Sequence, residues 1–334
     1  MRRFARFVRG TAGTAGIAAL ALVTAAAIPP AAAAPPVLFT LDDPRGDDHG
    51  DGTLRYPLRD DLAPGDLDLI SLSARAEKDG TTFEATFARP IRVPGREPVD
   101  AGGTPLERVA RFGFYTLNLD LYIDTDRLPG SGRRAMLPGR RAEVDSSCAW
   151  ERAICLTPRP YEAIEMLRGF RLAAAKDSLE RSAARVDAED VARLKKEIEA
   201  EIDSTVFFPT RVRVTGSRVR FFVPARFLGG PARDTWAYVA AVSGADIAQR
   251  FDLKTGFSGS ADFVKGLMIV PIAPGQSRER FGGGREHDEL MPPLADVLIA
   301  PSVSQEEALK DYDRKAGRPV RLRGAVPAEV SAAK

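Results

Sequence analysis

The sequence predicts an all-β fold, an immunoglobulin- or jelly-roll-like antiparallel β-sandwich with an inserted α-helical hairpin. Two observations support this prediction. Short segments that alternate apolar and polar residues recur between turn signals, and the 334 residues include 25 Pro and 29 Gly. Residues 161–203 break this pattern, because their apolar residues recur at helical spacing.

Strands are predicted, in chain order, at 68–76, 81–88, 113–124, 210–214, 218–223 and 235–243. Lys78-Asp79-Gly80 and Thr215-Gly216-Ser217 separate alternating segments and are typical of hairpin turns. The sequence therefore predicts neighbouring antiparallel strands at both places.

The helical region divides into two predicted helices, 161–185 and 188–202, with Asp187 and Asp190 spaced as a capping box. The region contains no His or Cys, which favours a packing insert or a lid over a functional helix. A short helix is expected at 304–310, followed by a C-terminal tail at 311–334 whose last dozen or so residues look loose.

Composition excludes several classes of protein. The chain has 48 Lys+Arg, 46 Asp+Glu and 44% hydrophobic residues, which excludes a disordered chain. The near-zero net charge gives no reason to expect a nucleic-acid partner.

Residues 1–34 have the order of a secretory signal. Four arginines and no acid precede an Ala-rich apolar run, and small residues follow up to Ala34. We expect cleavage near Ala34, with a secreted, periplasmic or cell-envelope location. Cleavage would leave 44 basic and 46 acidic residues, and no later stretch is apolar enough to span a membrane. The alternative is an uncleaved anchor.

Cys148 and Cys155 are the two cysteines of the chain. In an oxidising compartment a disulfide between them is the favoured interpretation. An extended chain would hold their Cα atoms roughly 23 Å apart, so a bridge needs a turn within residues 149–154. Two buried free thiols are the alternative.

The segment LDDPRGDDHGDGTLRYP (41–57) is the most informative local feature. It crowds five carboxylates among glycines, and hard oxygen ligands on a flexible loop suit calcium. The loop residues predicted as calcium ligands are Asp43, Asp47, Asp48 and Asp51. An EF-hand is excluded, because Leu58 stands where its bidentate Glu would be. A solvated acidic loop is the alternative.

A second acidic pair, Asp124 and Asp126, ends the long predicted strand 113–124. Alternation along a strand places both carboxylates on one side. They are predicted either to complete a cation site or to cap the turn that follows.

Catalytic motifs are missing from the sequence. His49 and His287 are the two histidines, and there is no G-x-S-x-G elbow, P-loop or zinc-ligand spacing. We therefore expect a protein that is not an enzyme. A glycoside hydrolase acting through unassigned acids is the least favoured alternative.

Six segments together resemble the C-terminal, sugar-binding-like domain of glucodextranase, within the wider group of DOMON-like and family-9-like carbohydrate-binding β-sandwiches. They are DDPRGDDHGDGTLRYP (42–57), APGDLDL (63–69), LYIDTDRLPGSGRRAMLPGR (121–140), AWERAI (149–154), VTGSRVRFFVP…DTWAYVAAVSG (214–244) and FGGG…ADVLIAPSVSQEEAL (281–309). The resemblance covers residues 38–310. Residues 161–203 look like an insertion, and no catalytic domain precedes the module, so the activity of glucodextranase is not carried over.

The resemblance implies a β-sandwich, favours a calcium-type site in loop 42–52 and implies carbohydrate binding by analogy. Tyr56 is the candidate exposed platform for a sugar ring, whereas Trp150 and Trp236 are expected in the core. We expect an exported, non-catalytic module that binds glycan or cell-envelope polysaccharide. The alternative is an envelope structural or protein-interaction module whose partner surface is the helical insert.

Overall fold

A computed structural model describes residues 36–95, 110–181, 187–247, 266–286 and 289–332. The predicted signal segment and His287 lie outside these residues. The described strands are β1 Val37–Asp42, β2 Leu69–Glu77, β3 Gly80–Phe87, β4 Leu117–Asp124, β5 Ala142–Val144, β6 Arg152–Leu156, β7 Val206–Phe207, β8 Val212–Thr215, β9 Arg218–Pro224, β10 Ala237–Gly244, β11 Asp296–Leu298 and β12 Val320–Leu322. The described helices are α1 Pro160–Arg181, α2 Ala188–Thr205, α3 Ala225–Leu228, α4 Gln305–Lys310 and α5 Pro327–Ala332.

The strands form two five-stranded sheets that face each other, which confirms the predicted β-sandwich. The first sheet has the order β1-β2-β3-β9-β8 and is antiparallel throughout. The second has the order β11-β10-β4-β6-β7, in which β6 and β7 run parallel. A third, two-stranded parallel sheet joins β12 to β5.

The two main sheets differ in how they are buried. Strands β3 and β9 of the first sheet alternate buried with more exposed residues, as expected when one face packs and the other is solvated. Strands β4 and β10 of the second sheet are buried at every position. The second sheet is therefore the middle layer of the molecule.

Two hydrophobic clusters fill the spaces on either side of the second sheet. Between the sheets, Phe83 and Phe221 stack with ring centroids 5.6 Å apart, and they pack in the same cluster as Leu121. On the other side, Tyr122 belongs to a cluster that includes Leu167 of α1 and other side chains of α2, α4 and β12. The helical insert thus covers the outer face of the second sheet.

The helical hairpin is confirmed, with α1 and α2 close to the predicted bounds. Asp187 caps α2 with a capping box, in which its side chain accepts from the backbone N–H of Asp190 and the Asp190 side chain accepts in return. Ser304 and Glu307 form a second capping box at the start of α4. Both helix starts follow from local hydrogen bonding that the sequence encodes.

The C-terminal segment is not the loose tail that the sequence suggested. Val320 and Leu322 are fully buried, and β12 pairs with β5 through residues 142–144. Ala325 exchanges backbone hydrogen bonds with Tyr238. The expectation failed because this pairing spans about 180 residues of sequence, which no local pattern reveals.

The favoured disulfide is also absent. Cys148 and Cys155 are both buried free thiols. The Cys148 sulfur accepts a hydrogen bond from the Gly324 backbone N–H at 3.1 Å, while the Cys155 sulfur lies 3.9 Å from Arg140 Nη2. Each thiol therefore has its own packing environment, which was the alternative interpretation.

Within the described residues, none of the helices has the length and apolar content needed to cross a membrane.

Candidate metal centre

Acidic residues from three separate segments meet at one end of the sandwich. Asp43 directly follows β1, and its N–H continues the β1–β2 ladder by donating to Ile70 O at 2.9 Å. Asp68 directly precedes β2, and Asp296 opens β11. The Leu69 N–H donates to Asp296 Oδ2 at 2.6 Å, which ties the two sheets together here.

Carboxylate oxygens of Asp47, Asp68 and Asp296 lie within 4.8 Å of one another. Asp43 joins them, because it is close enough to Asp296 for each carboxyl group to influence the pKa of the other. We call these four residues the acidic cluster. It combines two of the predicted loop ligands, Asp43 and Asp47, with two acids from elsewhere in the chain.

Each member of the acidic cluster has a buried oxygen without a hydrogen-bond partner. These oxygens are Asp43 Oδ2, Asp47 Oδ1, Asp68 Oδ1 and Asp296 Oδ1. Asp68 and Asp296 are 2% and 0% exposed. Because an unpaired buried acceptor costs about 1–3 kcal/mol, the four oxygens would be stabilised either by a cation bound between them or by protons.

The electrostatics agree with this geometry. Burial and, next, the nearby Asp47 carboxylate raise the pKa of Asp43 from 3.8 to about 8. Burial likewise raises the pKa of Asp47 to about 6, and it raises the pKa values of Asp68 and Asp296. Without a cation, the acidic cluster therefore holds protons that an isolated Asp would have lost at neutral pH.

Gln305, at the start of α4, fixes the acidic loop against the second sheet. Its amide nitrogen donates to the carbonyl oxygens of Asp47, Gly50 and Ala295, and its oxygen accepts from the Val297 N–H at 2.7 Å. Gly50 has φ +62°, and a Cβ there would lie 2.8 Å from a backbone oxygen, so the close approach needs glycine.

Asp48 and Tyr56 are hydrogen-bonded to each other inside the fold. Asp48 Oδ2 accepts from the Tyr56 hydroxyl and from the Gly65 N–H, and therefore braces the loop. Tyr56 is only 8% exposed and packs edge-on against Phe281 at 5.5 Å. The prediction of Tyr56 as an exposed sugar platform is wrong, because its hydroxyl is used inside the fold.

Asp51 and His49 lie at the edge of the same loop. Asp51 Oδ1 accepts from the Thr53 N–H and hydroxyl, while its other oxygen is buried without a partner. His49 Nε2 lies 3.2 Å from Glu306 Oε1 of α4. The His49 contact adds a second link between the acidic loop and this helix.

Asp124 and Asp126 form a separate group with Glu151, in which carboxylate oxygens lie within 4.8 Å of one another. We call these three residues the turn cluster. Asp124 is opposite Ala237 in β10, whereas Asp296 is opposite Val242, so the two clusters lie about 16 Å apart along the strands. The turn cluster does not complete the acidic cluster.

Backbone N–H groups satisfy the turn cluster. Asp124 accepts from Arg127 at 2.6 Å, Asp126 from Leu128 at 2.8 Å, and Glu151 from Thr125 at 2.7 Å. Burial raises the pKa values of Asp124 and Glu151, and these N–H groups oppose that increase. The turn cluster therefore fits the prediction that these acids cap a turn.

Sequence reasoning missed Asp68, Asp296, Glu151 and Gln305. Asp68 and Asp296 lie inside the segments that carry the family resemblance (63–69 and 281–309), which was the available signal. These two residues lie near the loop because the sandwich brings β2 and β11 together. Residue spacing along the sequence does not predict this contact.

A groove of about 530 Å³ lies between the helical insert and the sandwich. Its lining includes Tyr161 of α1, Phe207 of β7 and Phe227 of α3, with Asp203 and Arg226 among its polar residues. Tyr161 is 55% exposed, so this groove presents an accessible aromatic ring.

The described residues form a β-sandwich module with an acidic cluster at one end and one solvated sheet face. A family model described as the C-terminal binding-module, SLH-like, of glucodextranase matches residues 38–324. The chain therefore belongs to this family, which confirms the resemblance and extends it past residue 310. Comparison with curated proteins gives no match.

Proposed function

We propose that this protein is an exported, non-catalytic module that binds glycan, with calcium holding its N-terminal loop. Membership of a binding-module family over residues 38–324 carries the binding part of this proposal. The N-terminal segment 1–34, with its signal-like order of charge and apolar residues, supports export.

The acidic cluster supports the calcium part. Calcium binds six to eight oxygens at about 2.3–2.6 Å, so two oxygens on one ion are separated by at most about 5 Å. The 4.8 Å limit on the oxygens of Asp47, Asp68 and Asp296 fits that separation. Asp43 would supply a further carboxylate, and bound calcium would neutralise the crowded charge.

Calcium is expected to stabilise the protein against thermal unfolding. A ligand at 100 times its Kd adds about 2.7 kcal/mol to the unfolding free energy, so the Tm should rise measurably when calcium is added to chelator-treated protein. Asp68→Asn should abolish the rise. Asp126→Asn, in the turn cluster, is the matched control and should retain it.

An unchanged Tm at millimolar calcium would support the solvated-loop alternative. An equal rise in wild type and Asp68→Asn would place the ion elsewhere.

Glycan binding is tested by retention of the mature chain on a panel of immobilised neutral and acidic polysaccharides. Retention that soluble glycan reverses is the expected result. Loss of retention across the whole panel would contradict the proposal. Sugar release from α- or β-glucans during the same experiment would instead support catalysis.

A protein-interaction module is the second candidate, and the groove beside Tyr161 is the observation that favours it. Deleting the insert is an unsuitable test, because Leu167 and Ile202 are buried against the second sheet. Tyr161→Ala leaves that packing intact. If this variant kept glycan retention but lost in situ cross-linking to an envelope protein, the interaction role would be supported.

A further inference from the structure

The outer face of the first sheet is the broad, strand-built surface that the described helices leave uncovered. The second sheet is buried on both sides, and the inner side chains of the first sheet pack in the core between the sheets. The outward side chains of β2, β3, β9 and β8 remain, and they lie in rows across the four strands. We call this surface the arginine face.

Strand register defines two of these rows. In one, Glu84 of β3 is opposite Arg220 of β9, which is opposite Arg213 of β8. In the next, Thr82 is opposite Phe222. Successive rows are about 6.7 Å apart, because outward residues alternate along each strand.

Five arginines lie at the outward positions of this face, against two acids on its own strands and one at the end of the neighbouring β1. The arginines are Arg75, Arg211, Arg213, Arg218 and Arg220, and the acids are Asp42, Glu77 and Glu84. The whole chain is nearly neutral, with 48 basic and 46 acidic residues. An excess of positive charge on this one face is therefore a local property.

Two of the arginines have no acidic partner among the residues that the structure describes. Glu84 pairs with Arg220 and lies 3.9 Å from Arg218, and Glu77 pairs with Arg211 at 3.2 Å. Arg213 lies directly across from Arg220, and Arg75 is opposite Thr82. Like charges directly opposite across strands destabilise a sheet. Glu84 offsets this repulsion from the Arg220 side, and an anion bound at Arg213 would offset it from the other.

The surroundings of the arginines suit a sugar polymer. Hydroxyl groups of Ser71, Ser73, Thr82, Thr86 and Thr215 occupy the outward positions between them. The Arg211 guanidinium lies over the partly exposed ring of Phe222, 4.6 Å from the ring centroid, so the two groups stack on this face. Guanidinium groups bind carboxylates through paired hydrogen bonds, which a Lys cannot reproduce.

We propose that the arginine face binds an acidic polysaccharide of the polyuronate type, with Arg213 and Arg220 contacting its carboxylates. This inference rests on the proposed glycan-binding function and names both the surface and the ligand class. The hydroxyl rows contact the sugar hydroxyls, and the positive charge selects acidic over neutral chains.

The test measures binding of the mature chain to soluble polygalacturonate and to dextran, without added calcium so that ion bridging by the polymer plays no part. Polygalacturonate should bind in a salt-sensitive manner, and dextran should bind more weakly. The double variant Arg213→Gln/Arg220→Gln should weaken polygalacturonate binding roughly tenfold to a hundredfold.

The control variant Arg193→Gln/Lys196→Gln removes the same charge from exposed positions of α2 and should bind like wild type. Thermal unfolding of both variants checks the fold. Equal binding by wild type and the arginine-face variant would overturn the inference, as would loss of binding in Tyr161→Ala alone, which would assign the ligand to the groove.

The first two of the following outcomes separate this inference from the proposed function, and the third tests its specificity. Retention of dextran without retention of polygalacturonate would overturn the proposal for the arginine face and leave the proposed glycan-binding function standing. No retention of either polymer, nor of any other glycan, would remove both. Duplex DNA bound as tightly as polygalacturonate, with the same arginine dependence, would show a general polyanion surface and overturn the inference.

Discussion

The acidic cluster and the turn cluster look alike in composition but differ in their hydrogen bonding. Each brings three carboxylate oxygens within 4.8 Å of one another. In the turn cluster, backbone N–H groups of residues 125–128 satisfy the acids, whereas each member of the acidic cluster keeps an unpartnered buried oxygen. Crowded acids therefore identify a cation site only after their hydrogen bonds have been assigned.

The largest expected contrast between the clusters is in pH dependence. The pKa of Asp43 is raised to about 8 and that of Asp47 to about 6, both from 3.8. The folded chain thus binds more protons than the unfolded chain in this range, so the unfolding free energy of chelated protein should fall from about pH 5 to about pH 8.

Denaturant unfolding with a chelator at several pH values measures this slope. Calcium should reduce or reverse it, because the ion binds the deprotonated carboxylates. A slope that Asp126→Asn alters, and that Asp43→Asn leaves unchanged, would assign the titration to the turn cluster instead.

Removing the Gln305 side chain, which fixes the acidic loop against the second sheet, should have the next largest effect. Gln305→Ala removes the side-chain donor of the Gly50 carbonyl and the acceptor of the Val297 N–H, while the Asp47 and Ala295 carbonyls keep the His49 and Gly50 N–H groups, so we expect a cost of about 3 kcal/mol of unfolding free energy. Calcium affinity should fall as well, because Asp47 is no longer held. Lys310→Ala, on the exposed side of α4, should change stability by less than about 0.5 kcal/mol.

The brace between Tyr56 and Asp48 is expected to contribute less. Tyr56→Phe keeps the ring packing against Phe281 but removes the hydroxyl that Asp48 accepts, at a cost of about 1–2 kcal/mol. Urea unfolding measures the loss, with Tyr161→Phe at an exposed position as the control. An unchanged midpoint would show that the Gly65 N–H alone is enough to satisfy Asp48.

The smallest change is expected in the turn cluster. Glu151→Ala removes the acceptor for the Thr125 N–H, which should cost about 1 kcal/mol, and the calcium-dependent Tm rise should persist. Loss of that rise in Glu151→Ala, with its retention in Asp68→Asn, would exchange the roles of the two clusters.

Local chemistry explains what the sequence could predict. The capping box at Asp187 and the turns at Gly80 and Gly216 use neighbouring residues, so the helices and hairpins were predicted nearly at their bounds. The acidic loop was also recognisable, since its carboxylates and glycines are adjacent in sequence.

Tertiary pairing explains which features the sequence could not predict. Asp296 joins Asp43 only because β11 lies beside β2, and β12 is ordered only because it pairs with residues 142–144. Tyr56 was predicted as exposed because its position beside a polar loop resembles a surface site. Its hydrogen bond to Asp48 shows that a polar loop can still form part of the interior.

The residues of the acidic cluster are synthesised at different times. Asp43, Asp47 and Asp68 are synthesised early, whereas Asp296 and Gln305 come from the last 40 residues of the chain. Because a chain is made from its N-terminus, the loop must wait for about 230 residues after Asp68 before its carboxylate partner and its clamp exist. Closing this end of the sandwich therefore requires most of the module to have been synthesised first.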